Sequence, residues 1–188
     1  MEKFKPKESI IAERIILLKR EHAHDEEMWE AIEESRAVIR EYLFWVDKNK
    51  TYEDVVKATD YFEKAWEDDT EWGYDIYELK THKLLGCIGA HNISFSNQNI
   101  ELGYWLRGSA TSKGYMTEAV RALEKELFER GMHRITIRCD ANNTKSARVA
   151  KLTGYTLEST AKEAVYHYDG LHDLETYVKI SPYPIKDL

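Results

Sequence analysis

The 188-residue chain carries 27 Lys and Arg against 34 Asp and Glu, a formal net charge of −7, with 43% hydrophobic and 32% charged residues. That balance describes a soluble globular protein of one domain, residues 1–188, and argues against a nucleic-acid partner, which needs a basic footprint. No apolar run approaches the roughly 20 residues of a membrane span. Ile10-Ile11-Ala12 is also too short for a signal segment, so no membrane partner and a cytoplasmic location are expected.

The elements follow hydrophobic periodicity. Residues 14–19, centred on Ile15-Ile16-Leu17-Leu18, read as a first strand. Residues 24–43 read as a helix with Trp29, Ile32, Arg36, Ile39 and Leu43 recurring at three- and four-residue steps. Thr51 and Asp54 form a capping-box pattern opening a second helix, whose stripe is Tyr52, Val55, Thr59, Phe62 and Trp66. Core packing accounts for most of both stripes. Two strands, 71–79 and 84–94, follow across a short turn, and 99–107 makes the next. A helix at 114–130 points Met116, Val120, Leu123 and Leu127 inward and stops at Gly131. Residues 134–140 alternate as a strand, 144–153 form a short helix ending at Gly154, and 156–168 with 171–180 form a hairpin joined at Asp169-Gly170. No repeat or low-complexity linker divides the chain. The expected class is α/β in the α+β sense, a mixed and mostly antiparallel sheet covered by helices. The single parallel crossover runs from 99–107 through the long helix to 134–140, and a crevice should open there.

Thr111-Ser112-Lys113-Gly114-Tyr115-Met116 joins a strand to that helix. A small-residue loop at a helix start leaves backbone N–H groups unpaired at a positive dipole end, a site suited to phosphate. Cys87 and Cys139 lie in apolar strand-like runs and read as buried free thiols. The seven histidines show no HxxxH spacing and the cysteines no CxxC, so no metal is assigned.

Glu101-Leu102-Gly103-Tyr104-Trp105-Leu106, the 111–117 loop, Gly131-Met132-His133-Arg134-Ile135, Asn143 with Ser146, and Lys151-Leu152-Thr153-Gly154-Tyr155 occur in that order. Together they resemble the GNAT family of N-acetyltransferases, specifically the RimJ/RimL-type branch that acetylates protein N-termini, including those of ribosomal proteins. The likeness is strongest over 101–155 and weaker over the rest. It implies the GNAT fold, about seven strands with a splayed parallel pair forming the cleft, and acetyl-CoA as co-substrate. Tyr104, Trp105 and Leu106 would lie along the pantetheine arm, with a backbone N–H there at the thioester oxygen. Amides of Ser112, Lys113, Gly114, Tyr115, Met116 and Thr117 would grip the pyrophosphate. Asn143 would contact the pantetheine and Ser146 would stand near the sulfur as acid, with Tyr155 as runner-up. Phe44, Trp45 and Trp66 would line an acceptor wall.

The general base is the open position. Some relatives carry a glutamate where this chain has Val165. Glu163, two residues earlier and expected on the same face, and Glu101 are the substitutes. An N-terminal amine has a pKa of roughly 7.7–8.0, so a weak base acting through water would suffice. The loop also departs from the family pattern, with Thr111 in place of a long polar residue, Ser112 in place of glycine and a bulky Met116. The leading expectation is direct acetyl transfer to the α-amine of a protein or peptide. Transfer to a small amine and an acyl-CoA-binding module of little turnover are the alternatives, and the oligomeric state stays open.

Overall fold

Alternation along one central strand organises the molecule. The computed structural model describes residues 3–184. Its strands are β1 (Ser9–Ile11), β2 (Ile15–Lys19), β3 (Trp72–Glu78), β4 (Leu84–Ser94), β5 (Asn99–Leu106), β6 (Arg134–Asp140), β7 (Thr156–His167) and β8 (Gly170–Ile180). They form one eight-stranded sheet in the order β1-β2-β3-β4-β5-β6-β8-β7. Every neighbouring pair is antiparallel except β5–β6. The sheet thus holds one strand more than expected from sequence. The extra strand is β1, three residues long with Ile11 exposed, too short to show a period.

Four helices cover the sheet: α1 (Asp25–Arg40), α2 (Tyr52–Glu67), α3 (Tyr115–Arg130) and α4 (Thr144–Leu152). Helix α1 places Asp25, Glu26 and Glu27 in its first turn and Arg40 in its last, matching the helix dipole. Helix α2 opens with the expected Thr51/Asp54 capping box. Arg36 is not core filling. Its guanidinium donates to the carbonyls of Val46 (2.6 Å) and Asn49 (2.7 Å), tying the 3-10 turn Phe44–Asp47 to α1.

On β5, Ile100 and Leu102 are buried in a core built with Met116, Ala119, Val120, Leu123 and Leu127 of α3, and Tyr104 and Leu106 pack against that core. Trp105 points the other way, into a second core with Met28, Ile32 and Ile39 of α1 and Val55 of α2. The two-residue period of a strand therefore sends Tyr104 and Trp105 to opposite faces.

Parallel pairing runs from Asn99↔Arg134 to Leu102↔Ile137 and then stops, while β6 stays paired with β8 as far as Asp140↔Leu174. Beyond Leu102 the β6-facing edge of β5 is open. On its other side β5 lies tight against Gly86 of β4: an added Cβ there would stand 2.2 Å from the Trp105 carbonyl oxygen and 2.7 Å from the Leu106 Cα. Only a glycine allows that approach. Among the described residues no helix is long and apolar enough to cross a membrane.

Candidate active site

The open edge of β5 fronts a cavity of about 780 Å³. Its floor is Leu102–Leu106, one end is Thr111, Ser112, Gly114, Met116 and Thr117, and the far end is Tyr42, Leu43, Val165 and His167. At the loop end, Ser112 and Gly114 adopt positive φ of 62° and 84°. The first backbone bond of α3 runs from Glu118 N to Gly114 O (3.1 Å), so the N–H groups of Tyr115, Met116 and Thr117 have no helical partner. Glu118, an acid in this first turn, is neutralised by Arg14, whose Nε lies 2.8 Å from it and whose Nη1 also donates to the Lys113 carbonyl (3.1 Å). The anion-binding character of the helix start is thereby preserved.

The side chains of this loop divide. Those of Lys113 and Tyr115 lie outside the cavity wall; the Tyr115 ring packs under Arg14, and its hydroxyl donates to Glu78. What these two residues offer an anion is backbone. Thr111 turns its hydroxyl back to the Gly108 carbonyl (2.9 Å). Two cations absent from the sequence reading, Lys145 and Arg148, stand in the wall on α4. Their only sequence signal was their place beside Asn143 and Ser146.

Midway along the cavity Asn143 caps α4 by accepting from Ser146 N (3.0 Å). This leaves the Ser146 hydroxyl 3.1 Å from the Tyr104 hydroxyl. Burial, opposed by that contact, raises the Tyr104 phenol above its ordinary range, so it keeps its proton at neutral pH. The sequence named both residues but not their pairing. Tyr155 is buried behind the wall rather than in it, and burial raises its phenol well above the ordinary range.

Glu101 sits in the paired stretch of β5, opposite Thr136, and lines neither cavity. Burial is the largest influence on its carboxyl and pushes upward. Hydrogen bonds from His91, Arg138 (2.9 Å) and Asn92 (3.0 Å) outweigh it and hold the carboxyl down at about 2. That is an ion-paired structural carboxylate, a poor proton acceptor. Glu163 fails for another reason. A β-bulge between Ala161 and Val165, with Glu163 at φ 48°, breaks the two-residue alternation, and Glu163 is exposed outside the cavity.

A second cavity of about 450 Å³ shares Leu43, Gly103, Tyr104 and Trp105 with the first and extends under α1 and α2. Trp45 lines it, 5.9 Å from Trp105 between ring centroids. Glu71 also lines it, with its carboxyl raised by burial against the opposing influence of His91 and Tyr61. Phe44 lines neither cavity; it packs edge-on against His167 (4.9 Å), which lines the larger one, and against Tyr168 (4.6 Å). Trp66 belongs to neither cavity. It is 4% exposed and packs edge-on against Tyr74, so it is core.

Among the described residues, Asp140, His167 and His172 form the one cluster with ligand-type atoms within 4.8 Å of one another. The His167 and His172 rings are stacked, 4.5 Å apart and 9° from parallel. Stacked parallel rings do not direct both lone pairs at one ion, so this arrangement is a shared carboxylate rather than a chelate.

A family model described as an acetyltransferase (GNAT) domain matches residues 14–156. The chain belongs to the GNAT acetyltransferase family. Within GNAT it is 32% identical over 103 residues to the ribosomal-protein-serine acetyltransferase of Escherichia coli strain K12, covering 54% of this chain and 58% of that protein. The matched part of the chain spans between half and two thirds of its curated relatives. The same GNAT fold is seen in RimL, a ribosomal L7/L12 α-N-protein acetyltransferase solved with coenzyme A (TM-score 0.88, 24% identity, 92% of this chain and 98% of that one). It recurs in the microcin C7 self-immunity acetyltransferase MccE, solved with acetyl-CoA and AMP (TM-score 0.85, 24% identity, 89% and 93% covered).

Proposed function

We propose that this protein is a single-domain, acetyl-CoA-dependent N-acetyltransferase acting on the α-amine of a protein or peptide. The observation that carries the reading is the pair of cavities that meet at Gly103–Trp105 of β5. The larger has an anion-binding helix start, two cations and an open strand edge, the features a pyrophosphate and an extended pantetheine arm require. The smaller brings the aromatic wall of Trp45 and Trp105 to the same stretch of strand, which suits an acceptor entering from the α1/α2 side.

Ser146 and Tyr104 then stand where a thiolate departs, and hydrogen bonds from both hydroxyls stabilise its charge. The cysteines stay out of the chemistry: burial pushes the Cys87 thiol up to about 12 and the Cys139 thiol to about 11, so neither is a thiolate near neutrality. Attack is therefore direct, in a ternary complex. The serine-directed name of the E. coli relative favours a ribosomal-protein N-terminus as acceptor. Together with the two free thiols it also favours a cytoplasmic location.

The test is coenzyme A release and product mass with acetyl-CoA against a panel of N-terminal peptides and small amines. Acetylation confined to peptide α-amines is the expected result. Turnover on small amines alone would overturn the acceptor assignment. Parallel-line ping-pong kinetics would overturn direct transfer.

A further inference from the structure

We infer that His167, oriented by Asp140, is the proton acceptor for the incoming amine. The inference rests on the acetyl-transfer reading above. The strand order brings these residues together. β8 lies between β6 and β7, so Asp140 at the end of β6 meets Leu174 of β8, and His167 at the end of β7 meets Gly170. Sequence separation hid the grouping.

Both residues line the larger cavity together with Val165, Tyr42 and Leu43, and Leu43 also lines the second cavity, so the two spaces adjoin here. His167 Nε2 lies 2.8 Å from Asp140 Oδ2, and both side chains are at least 95% buried. Asp140 is fixed in turn: Oδ1 accepts from Asn142 N (2.6 Å), and Oδ2 takes His172 Nδ1 (2.6 Å). Edge-on contacts from Tyr42 (5.9 Å) and Phe44 (4.9 Å) clamp the His167 ring. The Tyr42 hydroxyl is itself held, donating to the Asn142 carbonyl (3.2 Å).

A buried carboxylate beside an imidazole stabilises the imidazolium that proton uptake creates. The other titratable groups facing the pair are His172 with Asp169 behind it (3.0 Å), Tyr42, and Tyr168 with its Asp47 and Arg40 partners beyond Phe44. Hydrogen bonding to Asp140 holds His172 toward its protonated form despite desolvation. That leaves His167 as the imidazole in the cavity wall. In the reaction the amine nitrogen bonds to the thioester carbonyl carbon, the C–S bond breaks, and the sulfur leaves as thiolate beside Ser146 and Tyr104. The proton lost by nitrogen goes to His167 and returns through solvent to the thiolate.

The experiment compares wild type, His167→Gln, Asp140→Asn and Glu71→Gln for acetyl-CoA affinity by calorimetry and for kcat from pH 6.5 to 9. His167→Gln is expected to bind acetyl-CoA normally and to lose about 100-fold in kcat at pH 7. The deficit should shrink below about tenfold by pH 9, where the amine is free without help. Asp140→Asn should show the same trend. If His167→Gln does not fold, the wild-type enzyme is assayed on an aminooxy-terminated peptide, whose nucleophile carries no titrating proton in this range. A normal solvent isotope effect on kcat with that nucleophile is then expected, and its absence overturns the inference.

Full activity of His167→Gln, a pH-independent loss, or transfer of the pH signature to Glu71→Gln each overturns it as well. So does activity abolished by chelator and restored by zinc, which would make the cluster a metal site. A wild-type protein that binds acetyl-CoA but acetylates nothing overturns the functional reading and this inference with it. Wild-type turnover with a normal His167→Gln profile overturns this inference alone.

Discussion

The 3.1 Å contact between the Tyr104 and Ser146 hydroxyls makes these residues one unit if both serve the departing thiolate. The perturbation is the set Ser146→Ala, Tyr104→Phe and the double variant. Removing either hydroxyl deprives a half-buried partner of one neutral hydrogen bond, worth about 1 kcal/mol of stability. For a chain of this size that lowers Tm by roughly 2–4 °C, too little to unfold it. The catalytic loss is larger, since a preorganised donor to a developing charge contributes about 10- to 1000-fold in kcat. If each single variant loses about 100-fold, independent donors give about 10⁴-fold in the double variant, whereas a shared unit gives little more than either single. The expected coupling is at least about 1.4 kcal/mol, one factor of ten. The assay is coenzyme A release under saturating acetyl-CoA and acceptor, with affinity measured separately and expected to change little. Multiplicative losses would refute the reasoning, and so would a Ser146→Ala enzyme with full kcat.

Three further outcomes are expected. Gly114→Val places a β-branched residue at φ 84° where the loop enters α3, and calorimetry should show acetyl-CoA affinity weakened at least about tenfold with the fold retained. Trp45→Ala should raise acceptor KM, while Trp66→Phe should cost about 1–3 kcal/mol in a urea melt and leave acceptor KM alone. Finally, Glu101, lowered from 4.5 to about 2 on folding, contributes up to about 3 kcal/mol. A depressed carboxyl gives stability that is full above pH 4.5 and is lost as pH falls toward 2. Glu101→Gln should therefore destabilise at pH 7 and become neutral near pH 2; a deficit independent of pH would show that charge is not the cause.

The parts of the molecule that repeat locally were legible in the sequence. Strands β4 and β6 lie where alternation put them, and the Thr51/Asp54 box is made as written. Parts set by an interruption or by strand order were not. The bulge at 161–165 resets which side chains face inward, so counting by twos from Val165 to Glu163 gave the wrong face. Asp140 and His167 are neighbours only because β8 was inserted between their strands. Trp66 shares a helical stripe with Phe62, which reaches the second cavity, but one turn along the same stripe is already core.

The opposed directions of Tyr104 and Trp105 have a consequence for how such a protein diversifies. β5 separates two cores, and parity decides which of them a substitution on the strand disturbs. An even-numbered change from 102 to 106 is felt on the α3 side, and a change at 105 on the α1 and α2 side. Packing on one side of the wall can thus drift while that on the other is inherited intact.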